Sequence, residues 1–235
     1  MERKHRGAAA RTSQARAHPQ MRRHAAGDRI LNYLAIDTSG EYLTVIAKHG
    51  ERTERVFRPD CLAKHSVVLM EEIDGALSRA QMTAAECDFF AVVVGPGSFT
   101  GIRIGIATVK GLAFACAKPV LPVTSLDCIA YSVEDAPVLA LVDAGHGAVY
   151  ACGYEKDKTV AVPPAYRTGE EAAKLAERFA PYAEKPLTFG GKEAKTADVC
   201  LGLERAVEAK KDALVPAARL AALYLRRSSA EEKRK

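Results

Sequence analysis

The segment Gly95-Pro-Gly-Ser-Phe-Thr-Gly-Ile-Arg-Ile-Gly105 gathers residues that could hold an anion. Glycines at 95, 97, 101 and 105, with Pro96, lie between an apolar run at Phe89–Val94 and a helical pattern that follows. A loop whose backbone N–H groups feed a helix N-terminus is a natural place for phosphate. Ser98 and Thr100 offer hydroxyls as donors or caps, and Arg103 adds a guanidinium in the first turn. A second set, Asp37-Thr38-Ser39, closes the apolar run Tyr33–Asp37 and could turn a carboxylate toward phosphate and magnesium. Asp37, Thr38, Ser39, Gly95, Gly97, Ser98, Thr100, Gly101 and Arg103 therefore form the candidate nucleotide- or anion-binding set. The competing reading is architectural: these glycines make a tight turn and let elements pack closely. Neither a Gly-x-x-x-x-Gly-Lys-Ser/Thr loop nor a Gly-x-Gly-x-x-Gly fingerprint after the first strand is present.

Other chemistry is thinly represented. The cysteines at 61, 87, 116, 128, 152 and 200 are scattered, without a Cys-x-x-Cys or a paired Cys/His spacing, so no metal ligands are assigned. That scatter fits a reduced, cytoplasmic chain. No Ser/His/Asp order and no His-Glu-x-x-His supports a peptidase, and no catalytic residue is assigned.

The elements that must position these residues follow from periodicity. Tyr33–Asp37, Tyr42–Lys48 and Arg52–Arg58 read as strands, the last two joined by a tight turn at His49-Gly50. A helix is predicted over 62–80, with positions 62, 66, 69, 73, 76 and 80 on its inner face. Phe89–Val94 is apolar throughout, as expected of a strand buried on both sides. A second helix runs to about Ala117, a strand occupies Val120–Val123, and Thr124/Ser125 cap a third helix. This βββαβαβα order then begins again, with strands at Val138–Val142 and Ala148–Tyr154 around Asp143-Ala-Gly-His-Gly147. A helix over 169–180, a strand at 187–189 and a closing helix at Val215–Arg227 complete the pattern, while 155–168 and 190–214 carry little. Two α/β lobes follow, at 31–134 and 135–235.

The chain has 235 residues and a net charge of +5, but residues 1–30 hold eight Lys/Arg against two Asp/Glu. The remainder is close to neutral, which argues against a body that binds nucleic acid by charge alone. Residues 1–30 lack apolar periodicity and read as a disordered basic leader. An organelle transit peptide and an over-early start, with Leu31 as the first residue, both remain open for that leader. No apolar run approaches the roughly 20 residues that span a bilayer, so no membrane association is expected.

The motifs together are more specific than any one of them. The segment at 95–105, preceded by Leu-Ala-Ile-Asp-Thr-Ser-Gly at 34–40 and followed by Lys-Gly-Leu-Ala-Phe-Ala at 110–115 and Val-Thr-Ser-Leu at 123–126, resembles the TsaB (YeaZ) family. The resemblance is dense over 32–155 and weak beyond. It implies an α/β, two-lobed actin/Hsp70/sugar-kinase-like (RNase H-like) fold, each lobe a mixed sheet with helices. It also implies a non-catalytic subunit in tRNA threonylcarbamoyladenosine biosynthesis, pairing with a TsaD-like paralogue and a TsaE-like ATPase and meeting tRNA through that complex. No cofactor is expected to bind stably; ATP or ADP with magnesium is expected, if anywhere, at the interface of the complex. A metal site of the TsaD type would need two histidines a turn apart on the first long helix, and this chain has His65 but Leu69. An independent actin-like ATPase or phosphotransferase, using Asp37, the 95–101 loop and Asp143, is the alternative. Against it, Thr38-Ser39-Gly40 lacks the Thr/Lys continuation of an active kinase. Gly145 and Ala148 also stand where many relatives carry Arg and Glu.

Pairing also has a physical argument. From Ile102 to Cys116 only Arg103, Thr108 and Lys110 are clearly polar, so the second helix has more apolar surface than one sheet can cover. The first helix has a second apolar side at Val67, Met70 and Leu77. The expected partner face therefore comprises His65, Leu69, Met70, Ile73 and Leu77 on the first helix. On the second it comprises Gly101, Ile104, Gly105, Thr108, Gly111 and Leu112, with the glycines admitting a close neighbour. Whether the isolated chain forms a homodimer is left open by the sequence.

Overall fold

The computed structural model describes residues 31–61 and 64–226. The expectations for the 1–30 leader and for Leu62 lie outside the described residues. Two sheets form the frame. The first has five strands in the order β3-β2-β1-β4-β5, from β1 (Tyr33–Asp37), β2 (Leu43–His49), β3 (Arg52–Arg58), β4 (Phe89–Val93) and β5 (Val120–Val123). β1 runs antiparallel to β2 and parallel to β4, which lies parallel to β5. Every residue of β1 and β4 is buried, because helices cover both faces of the sheet.

On one face lie α1 (His65–Arg79) and α2 (Phe99–Cys116), whose Leu69, Ile73, Ile102, Ile106 and Val109 join Leu34, Ile36 and Val92 in one core. α2 has 18 residues of mean hydropathy 1.3, so by length and composition it could cross a membrane. Here the same apolarity serves the packing of Ile102, Ile106, Val109 and Ala113 onto the sheet. α3 (Ser125–Tyr131) follows β5, with Thr124 and Asp127 forming a reciprocal capping box.

The second sheet has six strands in the order β10-β11-β9-β6-β7-β8. These are β6 (Val138–Gly145), β7 (Ala148–Tyr154), β8 (Val160–Thr168), β9 (Ala180–Ala183), β10 (Leu187–Phe189) and β11 (Lys192–Thr196). The run β8-β7-β6-β9 repeats β3-β2-β1-β4, with antiparallel and parallel pairs in the same places. β8 sits at the sheet edge, where Pro163 and Pro164 take no donor from an inner ladder. α4 (Gly169–Leu175) is shorter than predicted, and α5 (Val199–Lys210) closes the pattern.

Two predicted elements differ. α5 occupies a stretch that showed little pattern, and no helix forms over 215–226. Instead Val215 bridges Val120, a single 3-10 turn covers Ala217–Arg219, and the chain continues extended across the first lobe. Leu223 N–H donates to the Val94 carbonyl at 2.8 Å, and Leu223 and Leu225 pack on separate cores. A good helix composition loses here to pairing and burial that only the tertiary fold supplies.

The two closing helices exchange places. α3, from the first half of the chain, lays Leu126, Ile129 and Ala130 against Val138, Ala140 and Val142 of the second sheet. α5, from the second half, lays Leu203, Ala206 and Val207 against Tyr33, Ala35 and Phe89 of the first. Gly202 is needed where they cross, because a Cβ there would sit 1.7 Å from the Cys128 carbonyl oxygen.

Candidate functional site

The glycine loop and the 37–40 turn do come together, but they close on each other. Ser98 N–H donates to the Ser39 carbonyl at 2.7 Å, and the Thr38 hydroxyl donates to the Gly101 carbonyl at 2.7 Å. A Cβ at 97 would lie 2.4 Å from the Ser39 carbonyl oxygen. At 101 it would lie 1.9 Å from that of Thr38, and at 105 it would lie 2.5 Å from Thr38 Oγ1. The glycines expected to admit a partner at 101 and 105 therefore admit the chain's own Thr38, its carbonyl at 101 and its hydroxyl at 105. Gly95 accepts from Ser125 N–H at 3.1 Å, and Pro96 accepts from the Ser125 hydroxyl. Ser98 caps α2 through Gly101 N–H at 3.2 Å.

Asp37 is equally committed. One carboxylate oxygen accepts from Ser39 N–H at 2.8 Å and its hydroxyl at 2.7 Å; the other accepts from the Tyr42 hydroxyl at 2.9 Å. Asp37, Thr38 and Ser39 are all buried. Asp143 is exposed, with Oδ1 held by Gly145 N–H at 2.8 Å. Gly145, His146 and Gly147 all have left-handed φ, of 77°, 55° and 75°, which suits glycine at 145 and 147. The Asp37 carboxylate, the Thr38 hydroxyl and the Ser98 N–H, all expected to face an anion or its magnesium, are thus engaged within the chain.

The cleft floor is instead a polar joint between lobes. The Tyr42 hydroxyl lies 2.9 Å from Asp37 and 3.4 Å from Glu184, which follows β9 in the second lobe. Burial, reinforced by Asp37, raises the Glu184 carboxyl to about 7, with Lys185 opposing. Burial also raises Asp37, against the pull of its Ser39 and Tyr42 donors. A second buried carboxylate, Asp127, accepts from Thr124 N–H at 2.9 Å, the Tyr154 hydroxyl at 3.1 Å and Lys210 Nζ at 2.6 Å, tying α3 to β7 and α5. Tyr42, Glu184 and Asp127 were absent from the expected site. Asp127 was legible as the fourth residue of the Thr124 capping box; Glu184 had no local signal.

Arg103 points outward rather than into an anion site. Its guanidinium stacks 3.7 Å from the Phe99 ring centroid and donates to the Tyr224 hydroxyl at 3.0 Å, with Phe99 and Tyr224 stacked at 5.4 Å. Thr100 is exposed beside it.

The expected partner face divides. Leu69, Ile73 and Leu77 point into the lobe's own core, because α1 turns that stripe toward β2 and β3. Ser66, expected inside, is exposed. His65 is buried, and its Nε2–H donates to the Tyr42 carbonyl at 2.8 Å, so it braces the cleft floor from below. What remains outside is apolar nonetheless. Val67 is 76% exposed, Met70 48% and Phe114 65%. Ile104, Thr108 and Leu112 are half-buried, and Gly111 faces open space.

Comparison with known proteins gives these features a lineage. Residues 57–225, well over half of the chain, match the family described as TsaD, tRNA N6-adenosine threonylcarbamoyltransferase. The crystal structure titled YeaZ from Pseudomonas aeruginosa aligns over its whole length and 83% of this chain, with TM-score 0.66 and 27% identity. TsaB, a tRNA threonylcarbamoyladenosine biosynthesis protein, is 32% identical over 133 residues in Haemophilus influenzae. The Escherichia coli protein of the same name is 31% identical over 132 residues. The chain belongs to the TsaB/YeaZ branch of this family. The matches cover 54% of the chain and 56% and 57% of those two relatives, so the chain spans just over half the length of the curated TsaB proteins it matches. The two-lobed, actin-like architecture expected of TsaB/YeaZ members is the one observed.

Proposed function

We propose that this chain is an accessory, non-catalytic subunit of tRNA threonylcarbamoyladenosine biosynthesis, docking on a TsaD-type catalytic paralogue through the outer face of α1 and α2. The observation that carries this reading is exposed Val67 and Met70 on α1 together with half-buried Ile104, Thr108 and Leu112 and the open Gly111 on α2, with Phe114 exposed near the end of α2. Large apolar side chains left exposed on the outside of a well-packed lobe mark a protein interface. The closed 37–40 and 95–101 loops support a role without chemistry of its own, since Ser98 N–H, Gly101 N–H, the Thr38 and Ser39 hydroxyls and the Asp37 carboxylate are used within the chain. A TsaE-like ATPase joins the pair, tRNA is met through the complex, and any nucleotide with magnesium belongs to the shared interface. Without its paralogue the same face pairs two copies of this chain.

The test is reconstitution of tRNA threonylcarbamoylation with the paralogue and the ATPase. Met70→Glu and Phe114→Glu each place a charge on the docking face, and each is expected to weaken pairing and modification at least tenfold. Because both residues are exposed, the melting temperature of the isolated chain should move by no more than about 2 °C. Full modification with both variants would remove this face from the mechanism. Full modification without the chain would remove the function.

A further inference from the structure

Three exposed aromatic rings lie along one strip, formed by the first turn of α2, the 220–226 stretch and β8. Phe99 and Tyr224 are each 47% exposed, Tyr166 is exposed as well, and none of the three joins a hydrophobic core. Guanidinium groups accompany them. Arg103 lies 3.7 Å over the Phe99 ring and donates Nε–H to the Tyr224 hydroxyl at 3.0 Å, and Arg226 lies 5.0 Å over the Tyr166 ring. Phe99 and Tyr224 stack with centroids 5.4 Å apart, yet about half of each ring stays in water. Leu223 and Leu225 pack inward on separate cores, which holds Tyr224 between them on the outside.

The elements that build the strip hold cations and no acid. α2, residues 213–226 and β8 contain Arg103, Lys110, Arg167, Arg219 and Arg226 but not one Asp or Glu, in a chain that has 29 of them. β7, which sets Tyr150 edge-on to Tyr166 at 6.0 Å, has none either. Arg103 spends one of its five donors on Tyr224, and the other four have no partner among the described residues. An apolar protein surface would cover the rings but bury the guanidinium groups without an acceptor, which is costly. A small anion would meet the guanidinium groups and leave the rings in water. Single-stranded nucleic acid satisfies both, because its bases stack on aromatic rings and guanidinium planes while its phosphates accept from arginine.

We propose that this strip binds an unpaired stretch of RNA, with bases stacking on Phe99, Tyr224 and Tyr166 and phosphates meeting Arg103 and Arg226. The choice of RNA rests on the role in tRNA modification proposed above. A nearly neutral body is compatible with such a site, since stacking carries much of the affinity for single strands. The chain then holds part of the RNA itself while its α1–α2 face holds the paralogue.

Fluorescence anisotropy of a labelled oligoadenylate RNA, titrated with the full chain in the absence of its paralogue, tests this. Saturable binding is expected, weakened about fivefold or more in Phe99→Ala and in Tyr224→Ala and restored in Tyr224→Phe, which keeps the ring. Arg103→Met should weaken binding and lower the slope of log affinity against log salt by about 0.7, the loss of one phosphate contact on a single strand. The basic 1–30 leader is common to all these proteins, so its contribution does not change between them. Phe99, Arg103 and Tyr224 lie outside every core, and their variants should melt within about 3 °C of the wild type, which separates lost binding from lost folding. Absence of saturable binding overturns the proposal, as does wild-type affinity in Phe99→Ala, Tyr224→Ala and Arg103→Met alike. Met70→Glu should bind the RNA as the wild type does, so failure of the strip leaves the docking face standing, and failure of the docking face leaves the strip.

Discussion

Gly101→Ala should destabilise this protein by about 3 kcal/mol or more, lowering the melting temperature by roughly 6–12 °C. One methyl group has that effect because a Cβ at 101 would lie 1.9 Å from the Thr38 carbonyl oxygen. Both partners are main chain, so no flexible side chain can give way. Relief requires α2 to separate from the 37–40 turn, which would break the Thr38–Gly101 hydrogen bond and disturb the Ile102 packing behind it. Gly111→Ala in the same helix is the control. Nothing lies within 4 Å of a Cβ at 111, so the better helix propensity of alanine should leave stability unchanged or raise it by up to about 1 kcal/mol. Thermal or denaturant unfolding of the two variants decides the matter. Similar melting temperatures would mean that the close approach of α2 to the turn is not what holds the loop.

The second large effect is a pH dependence centred on the cleft floor. Glu184 is raised to about 7 in the folded chain from an ordinary value near 4.5, mainly by burial and then by Asp37. Folding therefore favours its protonated form. The stabilisation is present in full below about pH 4.5, fades as the unfolded chain ionises, and is lost once pH passes 7. At about 1.4 kcal/mol per pH unit, reduced for partial exposure, the loss between pH 5 and 8 is on the order of 2–3 kcal/mol. Glu184→Gln keeps a hydrogen-bonding group beside Tyr42 but cannot ionise, so its stability should fall much less over that range. Asp37, also raised by burial, accounts for the slope that remains. Parallel pH–stability curves for wild type and Glu184→Gln would rule out this carboxylate as the source.

Much of the first lobe was legible because its signals are local. The apolar run at Phe89–Val93, the Thr124 box and the glycine spacing each report on one element at a time. The second half was harder for definable reasons. The stretch 215–226 is rich in alanine and leucine, yet Val215 pairs with Val120 and Leu223 with Val94, partners about a hundred residues away. α5 was overlooked although Asp198 caps it and Val199, Leu203, Ala206 and Val207 mark one face. Gly202 obscured the pattern, and its reason is the crossing with α3.

The candidate site divided along the same line. Sequence brought Asp37, Thr38, Ser39 and the 95–105 glycines into one neighbourhood, which is where the structure places them. It could not tell a loop open to an anion from a loop filled by its own backbone, because that depends on distances of a few tenths of an ångström. Nor could spacing alone assign the two sides of α1. Leu69, Ile73 and Leu77 share a stripe that fits either a sheet or a partner, and only the direction of β2 and β3 decides.

The exchange of closing helices makes each half of the chain a template for the other. A fragment ending at residue 134 would keep α3 without the sheet it covers, and would leave Tyr33, Ala35 and Phe89 without α5. A fragment beginning at 135 would have the reciprocal defect. Neither should fold when expressed alone, yet the two expressed together should recombine into a soluble pair. The link between lobes then becomes a place to split the protein into complementing halves, with solubility of each fragment alone and of the mixture as the measurement.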